Sequence, residues 1–313
     1  MEQPPRPVIC ILNATAGPRP ARTTPEQLAV AFAASGLAAE IWEAATGAEL
    51  ADLCARAVAR KCAIVVAAGG DGTVNCVAAA LAGTTATLGV LPLGTLNHLA
   101  RDLRIPMDVA AAIDVIANGR RQAVDAGEVD GRLFLNNSSL GLYPQLVRER
   151  VRLQGQGAGK WTAFARAARH VLTRHAHLHV RIHAGSGANA IRTTPFVFIG
   201  NNEYRAEGWN IGTRARLDGG RLWICMAPRL GAAGLVLLAL RSLLGLRGRD
   251  AIEVFETTEC WIATRRSRID VARDGEVEAM DSPLHYRIRP GALHVMVPAP
   301  QRPSGGDGQG RSG

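Results

Sequence analysis

Gly69-Gly70-Asp71-Gly72-Thr73 sets one acid among three glycines. The apolar run Ala63-Ile64-Val65-Val66-Ala67-Ala68 precedes it, and Val74 to Leu81 after it reads as a helix. A strand, a glycine turn and a helix together make a phosphate cradle. Glycines let backbone approach an anion, and amides at the helix start face it. An acid inside such a turn repels phosphate unless a cation or a proton-transfer role accounts for it, which points to nucleotide chemistry. Alone, the pentapeptide is equally a tight strand-to-helix connection. There is no G-x-x-x-x-G-K-[ST], and Asn75 stands where the last glycine of G-x-G-x-x-G belongs, so two familiar nucleotide motifs are excluded. Further along, Asp274-Gly275-Glu276 offers two more acids. A carboxylate beside an alcohol can accept its proton, although Asp-Gly is also a common hairpin turn.

Such residues need elements to hold them. Val8 to Leu12 reads as a buried strand ended by the turn Asn13 to Gly17. Pro25 to Ala34 reads as a helix capped by Thr24, Ala39 to Trp42 as a strand, and Ala48 to Arg60 as a helix. Thr46 suits the N-cap of that second helix. Thr87 to Leu91 is another buried strand, closed by Pro92-Leu93-Gly94-Thr95, with helices expected over Leu96 to Leu103 and Asp108 to Ala117. Asn97 suits a cap at His98. Strands alternating with helices predict a parallel sheet covered on both faces, with ligands beyond the carboxyl ends of its strands. After about Arg121 strand-like segments dominate: 122–124, 133–136, 177–183, 195–200, 222–226, 252–255, 260–263, 286–288 and 294–297. Helices are expected over Trp161 to Leu172 and Leu235 to Leu246. The reading is an α/β nucleotide-binding domain over 1–125, a mostly β domain over 126–299 and a disordered tail over 300–313.

The chain has 313 residues, a net charge of +9 and 47% hydrophobic residues. That size gives ample core for two modest domains. The charge suggests an acidic partner, although Lys61 and Lys160 are the only lysines and the excess is almost wholly arginine. The six cysteines form no C-x-x-C pair, and several lie in apolar segments, so they read as buried thiols in a reducing compartment. Met1 to Pro7 has no charged start typical of a signal peptide, and Leu230 to Leu240 is too short to span a bilayer.

Taken together, the turns resemble the diacylglycerol kinase catalytic-domain family, in particular bacterial soluble lipid kinases related to sphingosine kinases. The matching elements are Asn13-x-x-x-Gly17, the Gly-Gly-Asp-Gly-Thr turn with Asn75, and Pro92-Leu93-Gly94-Thr95-Leu96-Asn97 with Ala100-Arg101. They continue with Val124-Asp125-Ala126-Gly127, Gly200-Asn201, Leu217-Asp218-Gly219-Gly220 and Asp274-Gly275-Glu276, in family order from Val8 to Val297. The resemblance implies a nucleotide-binding α/β domain and a β-sandwich domain with the active site between them. It also implies that the last strand, near 286–298, returns to the first domain. It implies ATP contacts from Asn13 to Gly17, Thr46, Gly69, Gly70, Asp71, Gly72, Thr73, Asn75, Gly94, Thr95 and Asn97. Asp71 and Asp125 would hold Mg²⁺ near the phosphates. Asp218, with backbone around Arg216, would bind a structural Mg²⁺. Glu276 would be the general base, with Asp274 beside it. The chain departs from the family at Ala14, Cys76, His98 and Gly219; the last removes a potential carboxylate ligand.

The expected activity is ATP- and Mg²⁺-dependent phosphorylation of a hydroxyl on a diacylglycerol-like or sphingoid lipid. NAD kinase, which shares the glycine turn, and a non-catalytic nucleotide- or lipid-binding relative are the competing readings. The expected partners are the lipid substrate and a peripheral membrane contact, with no nucleic acid; a homodimer is left open. The expected location is the cytoplasm, with contact at the inner face of the membrane. Arg148 to Arg181 is a basic stretch that fits anionic headgroups or a solvated helix face. His175, His177, His179 and His183 alternate with apolar residues, which predicts a solvated strand face rather than a zinc site.

Overall fold

The computed structural model describes residues 8–14, 23–155, 177–185, 189–207, 210–214, 216–231, 233–234, 237 and 252–300. Gly17, the basic stretch over 156–176, the helix expected at Trp161 to Leu172, most of that expected at Leu235 to Leu246, and the tail beyond 300 lie outside them.

The first half alternates strand and helix. Its elements are β1 (Val8–Asn13), α1 (Pro25–Ala34), β2 (Ala39–Ala44), α2 (Gly47–Ala59), β3 (Ile64–Gly69), α3 (Asp71–Leu81), β4 (Thr87–Pro92), α4 (His98–Asp102) and α5 (Val109–Asn118). Local chemistry sets the helix starts. Thr24 and Gln27 form a reciprocal capping box, with Pro25 in the first turn. The Thr46 hydroxyl accepts the Glu49 N–H at 3.2 Å. Helix α3 begins at Asp71 rather than Val74, so most of the glycine turn is the first helical turn, with Gly70 as N-cap. Strands β1 and β4 are almost wholly buried, as continuous apolar runs in a parallel sheet must be.

The second half is mostly strand: β5 (Arg120–Val129), β6 (Arg132–Phe134), β7 (Asn137–Gly141), then helix α6 (Leu142–Gly155), then β8 (Leu178–Ala184), β9 (Asn189–Thr194), β10 (Phe196–Asn201), β11 (Tyr204–Glu207), β12 (Asn210–Arg214) and β13 (Leu222–Met226). It closes with β14 (Glu253–Thr257), β15 (Glu259–Thr264), β16 (Arg268–Arg273), β17 (Glu276–Asp281) and β18 (Leu284–Val297).

A ten-stranded sheet runs in the order β2-β1-β3-β4-β18-β15-β8-β9, with β5 alongside β18 and β6 alongside β5. Its first strands pair in parallel, and β18 joins β4 in parallel, with His294 opposite Thr87. The expected return of the last strand is therefore present. The segments read as 286–288 and 294–297 are one strand, irregular between Arg289 and Leu293. A six-stranded antiparallel sheet, β14-β13-β10-β7-β16-β17, covers the other half of β18. Between these sheets Val180, Ile182, Cys260, Ile262 and Tyr286 pack against Val197, Ile199, Leu222, Ile224 and Val271. This is the β-sandwich expected after the α/β half. Strand β8 buries Val180, Ile182 and Ala184 and exposes His179, Arg181 and His183, as the alternation predicts.

Candidate active site

The two glycine turns press together. A Cβ on Gly94 would stand 2.4 Å from Gly70 Cα, and one on Gly69 would stand 2.3 Å from Thr73 Oγ1. Only glycine permits this approach. Asn13 Nδ2 donates to Thr73 Oγ1 at 3.0 Å, which ties the end of β1 to α3. Asn97 has a φ of 51°, and its side chain makes no cap bond to α4. Its Oδ1 accepts the Gly94 N–H at 3.1 Å, and its Nδ2 donates to the Pro92 and Gly94 carbonyls at 3.2 and 2.9 Å. The expected cap is thus replaced by a staple that closes the Pro92–Asn97 turn. The cap comes from Asp71: Oδ1 accepts the His98 N–H at 2.7 Å and Oδ2 accepts the Asn97 N–H at 3.0 Å. Asn75 and Asp71 are half-buried and Thr95 is exposed beside them.

The sandwich contributes the second set of acids. Asp274 and Gly275, with φ of 47° and 91°, form the tip between β16 and β17. The Asp274 carboxylate turns inward and accepts the N–H groups of Leu135, Asn136 and Asn137 at 2.7, 2.8 and 3.0 Å. Burial pushes its pKa up, opposed by those three donors. With its oxygens engaged, it braces the hairpin rather than facing an acceptor. Glu276 opens β17 and is exposed; its Oε1 lies 3.9 Å from where a Cβ on Gly72 would stand. The acid pair read in sequence is therefore divided: Glu276 overhangs the glycine turn and Asp274 holds the strand that carries it.

Asp125 is 3% exposed. Its Oδ1 accepts the Gly291 N–H at 2.9 Å and its Oδ2 accepts the Gly220 N–H at 2.7 Å. It joins β5, the irregular stretch of β18 and the Asp218-Gly219-Gly220 turn. Asn201 completes the junction by donating to the Asp125 and Leu135 carbonyls, each at 2.8 Å.

The residues named for a structural Mg²⁺ supply one carboxylate, Asp218, whose Oδ1 accepts from Arg216 Nε at 2.9 Å. Gly219 adds no second acid, and a Cβ there would stand 2.6 Å from Asn202 Oδ1. Among the described residues no cluster of three His, Cys, Asp or Glu could hold a metal. Asp71 fits a hydrated Mg²⁺ better. Each of its oxygens accepts one amide and keeps a lone pair.

Sequence reading missed the clamp between the halves. The Arg214 side chain is fully buried. It donates to Asp102 Oδ2 through Nη2 at 2.7 Å and Nε at 2.9 Å, to the Leu135 carbonyl at 2.6 Å and to Asn136 Oδ1 at 2.8 Å. Nothing in the spacing of residues 112 apart announces this pair. Close to Asn137 a cavity of about 310 Å³ opens between Ser139, Leu142, Tyr143, Phe196 and Phe198. Its walls are mostly apolar.

An α/β half with a pressed glycine cradle, facing an acid on a β-sandwich hairpin, defines the class: a two-domain kinase fold. Residues 7–129 match the family described as "Diacylglycerol kinase catalytic domain", and residues 147–297 match "YegS C-terminal NAD kinase beta sandwich-like domain". The chain is 34% identical to a "Probable lipid kinase YegS-like" of Pseudomonas syringae pv. syringae over 75% of its length and 76% of that protein's. A second protein of that name, from Pseudomonas savastanoi pv. phaseolicola, gives the same identity and the same shares. A solved diacylglycerol kinase from Bacillus anthracis str. Sterne superposes with a TM-score of 0.69 over 93% of this chain and 97% of that one, at 19% identity, which is a likeness of fold. The chain belongs to the YegS-like lipid kinase family.

Proposed function

We propose that this chain transfers the γ-phosphoryl group of ATP, with Mg²⁺, to a hydroxyl of a diacylglycerol-like or sphingoid lipid. The observation that carries the reading is the Glu276 carboxylate lying over Gly72 of the glycine turn. Glu276 is assigned as the group that accepts the hydroxyl proton as attack proceeds. Amides of the Gly69–Thr73 and Gly94–Thr95 turns are assigned to the phosphates, with Asn13 and Asn97 holding those turns in place and Asn75 assigned to the nucleotide. Thr46, engaged as the cap of α2, is assigned no separate contact. Mg²⁺, when bound, neutralises charge on the phosphates; Asp71 is the acid assigned to its waters. Asp125, buried where Asp71 is only half-buried, is assigned to bracing the cleft. The cavity beside Asn137 is assigned to the apolar part of the acceptor. Domain limits near 125 and 299 follow the same reading.

The test incubates the protein with labelled ATP, several divalent ions and mixed micelles of diacylglycerol, monoacylglycerol, ceramide or sphingosine. Label in a lipid product is expected. Folded protein that labels none of them overturns the reading, and label in NAD added as a control acceptor would replace it with NAD kinase.

A further inference from the structure

Cys54 on α2 and Cys76 on α3 are 22 residues apart, yet their sulfurs stand 4.0 Å from each other. The sequence shows no paired spacing, so only the packing of α2 on α3 creates this contact. Cys54 is 2% exposed and Cys76 is half-buried. Cys76 follows Asn75 on the cradle helix and lies near enough to Glu276 to feel its charge. The hydrogen bond with Cys54 brings the Cys76 thiol down to about 7, and the same contact, with burial, pushes Cys54 up. Burial pushes Cys225 and Cys260 up to about 12 and raises Cys10 as well. One thiol of the pair is thus accessible and its partner waits behind it, the usual arrangement of a reactive and a resolving cysteine.

We propose that Cys54 and Cys76 form a modification site for hydroperoxides, which closes to a disulfide and disturbs the nucleotide cradle. The Cys76 thiolate attacks one oxygen of the peroxide. An S–O bond forms, the O–O bond breaks, and the departing oxygen takes up a proton; sulfur is oxidised as peroxide is reduced. The Cys54 sulfur then attacks the Cys76 sulfenic acid. An S–S bond forms, the S–O bond breaks, and water leaves with the Cys54 proton. Two thiols and hydrogen peroxide become one disulfide and two waters.

Closure has a mechanical consequence. The sulfurs must approach by about 2 Å to reach bonding distance, and α2 and α3 share that movement. The first turn of α3 is the glycine turn, whose contacts at Gly69 and Gly94 leave no slack. This consequence, unlike the cross-link, rests on the proposed function.

The test treats the full chain with hydrogen peroxide, quenches, denatures and alkylates. Two of the six thiols should escape alkylation and return on reduction, and a non-reducing digest should link Cys54 to Cys76. Affinity for a non-hydrolysable ATP analogue should fall about fivefold on closure, the effect of one lost positioning contact. Cys54→Ser should form no cross-link and should trap dimedone at Cys76. Six alkylated thiols after peroxide, or a cross-link between other cysteines, overturns the site. A Cys54–Cys76 cross-link with unchanged analogue affinity overturns the effect on the cradle. A cross-link in a protein whose reduced form binds no analogue leaves the site standing and removes the proposed function.

Discussion

Asp71 caps the helix that begins at His98: its Oδ1 accepts the His98 N–H at 2.7 Å. One acid therefore fastens the glycine turn to the Pro92–Asn97 turn, and the α4 amides offset its charge. Asp71→Asn keeps one acceptor and loses the charge. It should lower stability by about 1–2 kcal/mol and kcat by roughly 10²-fold. Thermal melting and steady-state rates across Mg²⁺ concentrations check both. An unchanged kcat with a lowered Tm would restrict Asp71 to capping.

Glu276 and Asp274 should fail in different ways. Glu276→Gln should cut kcat by about 10²–10⁴-fold, with ATP-analogue affinity and Tm unchanged. Asp274→Asn replaces one accepting oxygen by a donor facing backbone N–H groups. It should destabilise the fold by about 1–3 kcal/mol, with a rate loss that follows the misplaced β17. Urea unfolding of both variants separates the two outcomes; equal losses of stability would contradict the division of roles.

Gly94→Ala tests the contact between the turns. Its Cβ would stand 2.4 Å from backbone Cα, which no flexible group can yield. A cost of about 1–3 kcal/mol is expected, together with weaker ATP binding. A calorimetric titration showing native affinity would argue against a cradle that depends on this approach.

The Arg214–Asp102 pair is buried on both sides. Removing one partner strands the other charge, so Asp102→Ala should cost about 3–5 kcal/mol. Arg214→Lys should rescue little, because a single ammonium cannot reproduce the fan of bonds to Asp102, Leu135 and Asn136. Denaturant midpoints of both variants check this.

Acid should loosen the sheet at Glu128. Burial works to raise its pKa, but hydrogen bonds from Arg287 and Arg289 at 2.6 and 2.7 Å outweigh that and hold it below the ordinary 4.5. A depressed carboxylate pKa contributes stability that is present above the ordinary value and lost as pH falls through the lowered one. Urea midpoints should therefore decline below pH 4.5, and Glu128→Gln should flatten that decline.

Sequence legibility tracked contiguity. Gly69 to Thr73 and Pro92 to Asn97 announced themselves because a strand, its glycine turn and the helix after it are neighbours in the chain. Asp274 and Glu276 were legible as a pair of acids on one hairpin, but Asp-Gly predicts only a turn and says nothing of where either carboxylate points. Arg214–Asp102 and Cys54–Cys76 join residues far apart and left no pattern. Strands β9, β16 and β17 were missed because each buries at most half of its residues and carries many polar ones. Helix boundaries moved for a simpler reason: glycines at 70 and 72 read as a loop, yet α3 starts among them.

Strand β18 pairs with β4 of the first half and β15 of the second. During synthesis the α/β half leaves the ribosome first, yet β4 has only β3 beside it until residues 294 and 295 have been made. The nascent α/β half thus carries an unpaired sheet edge at β4. That edge is covered only when β18 arrives to fill the place.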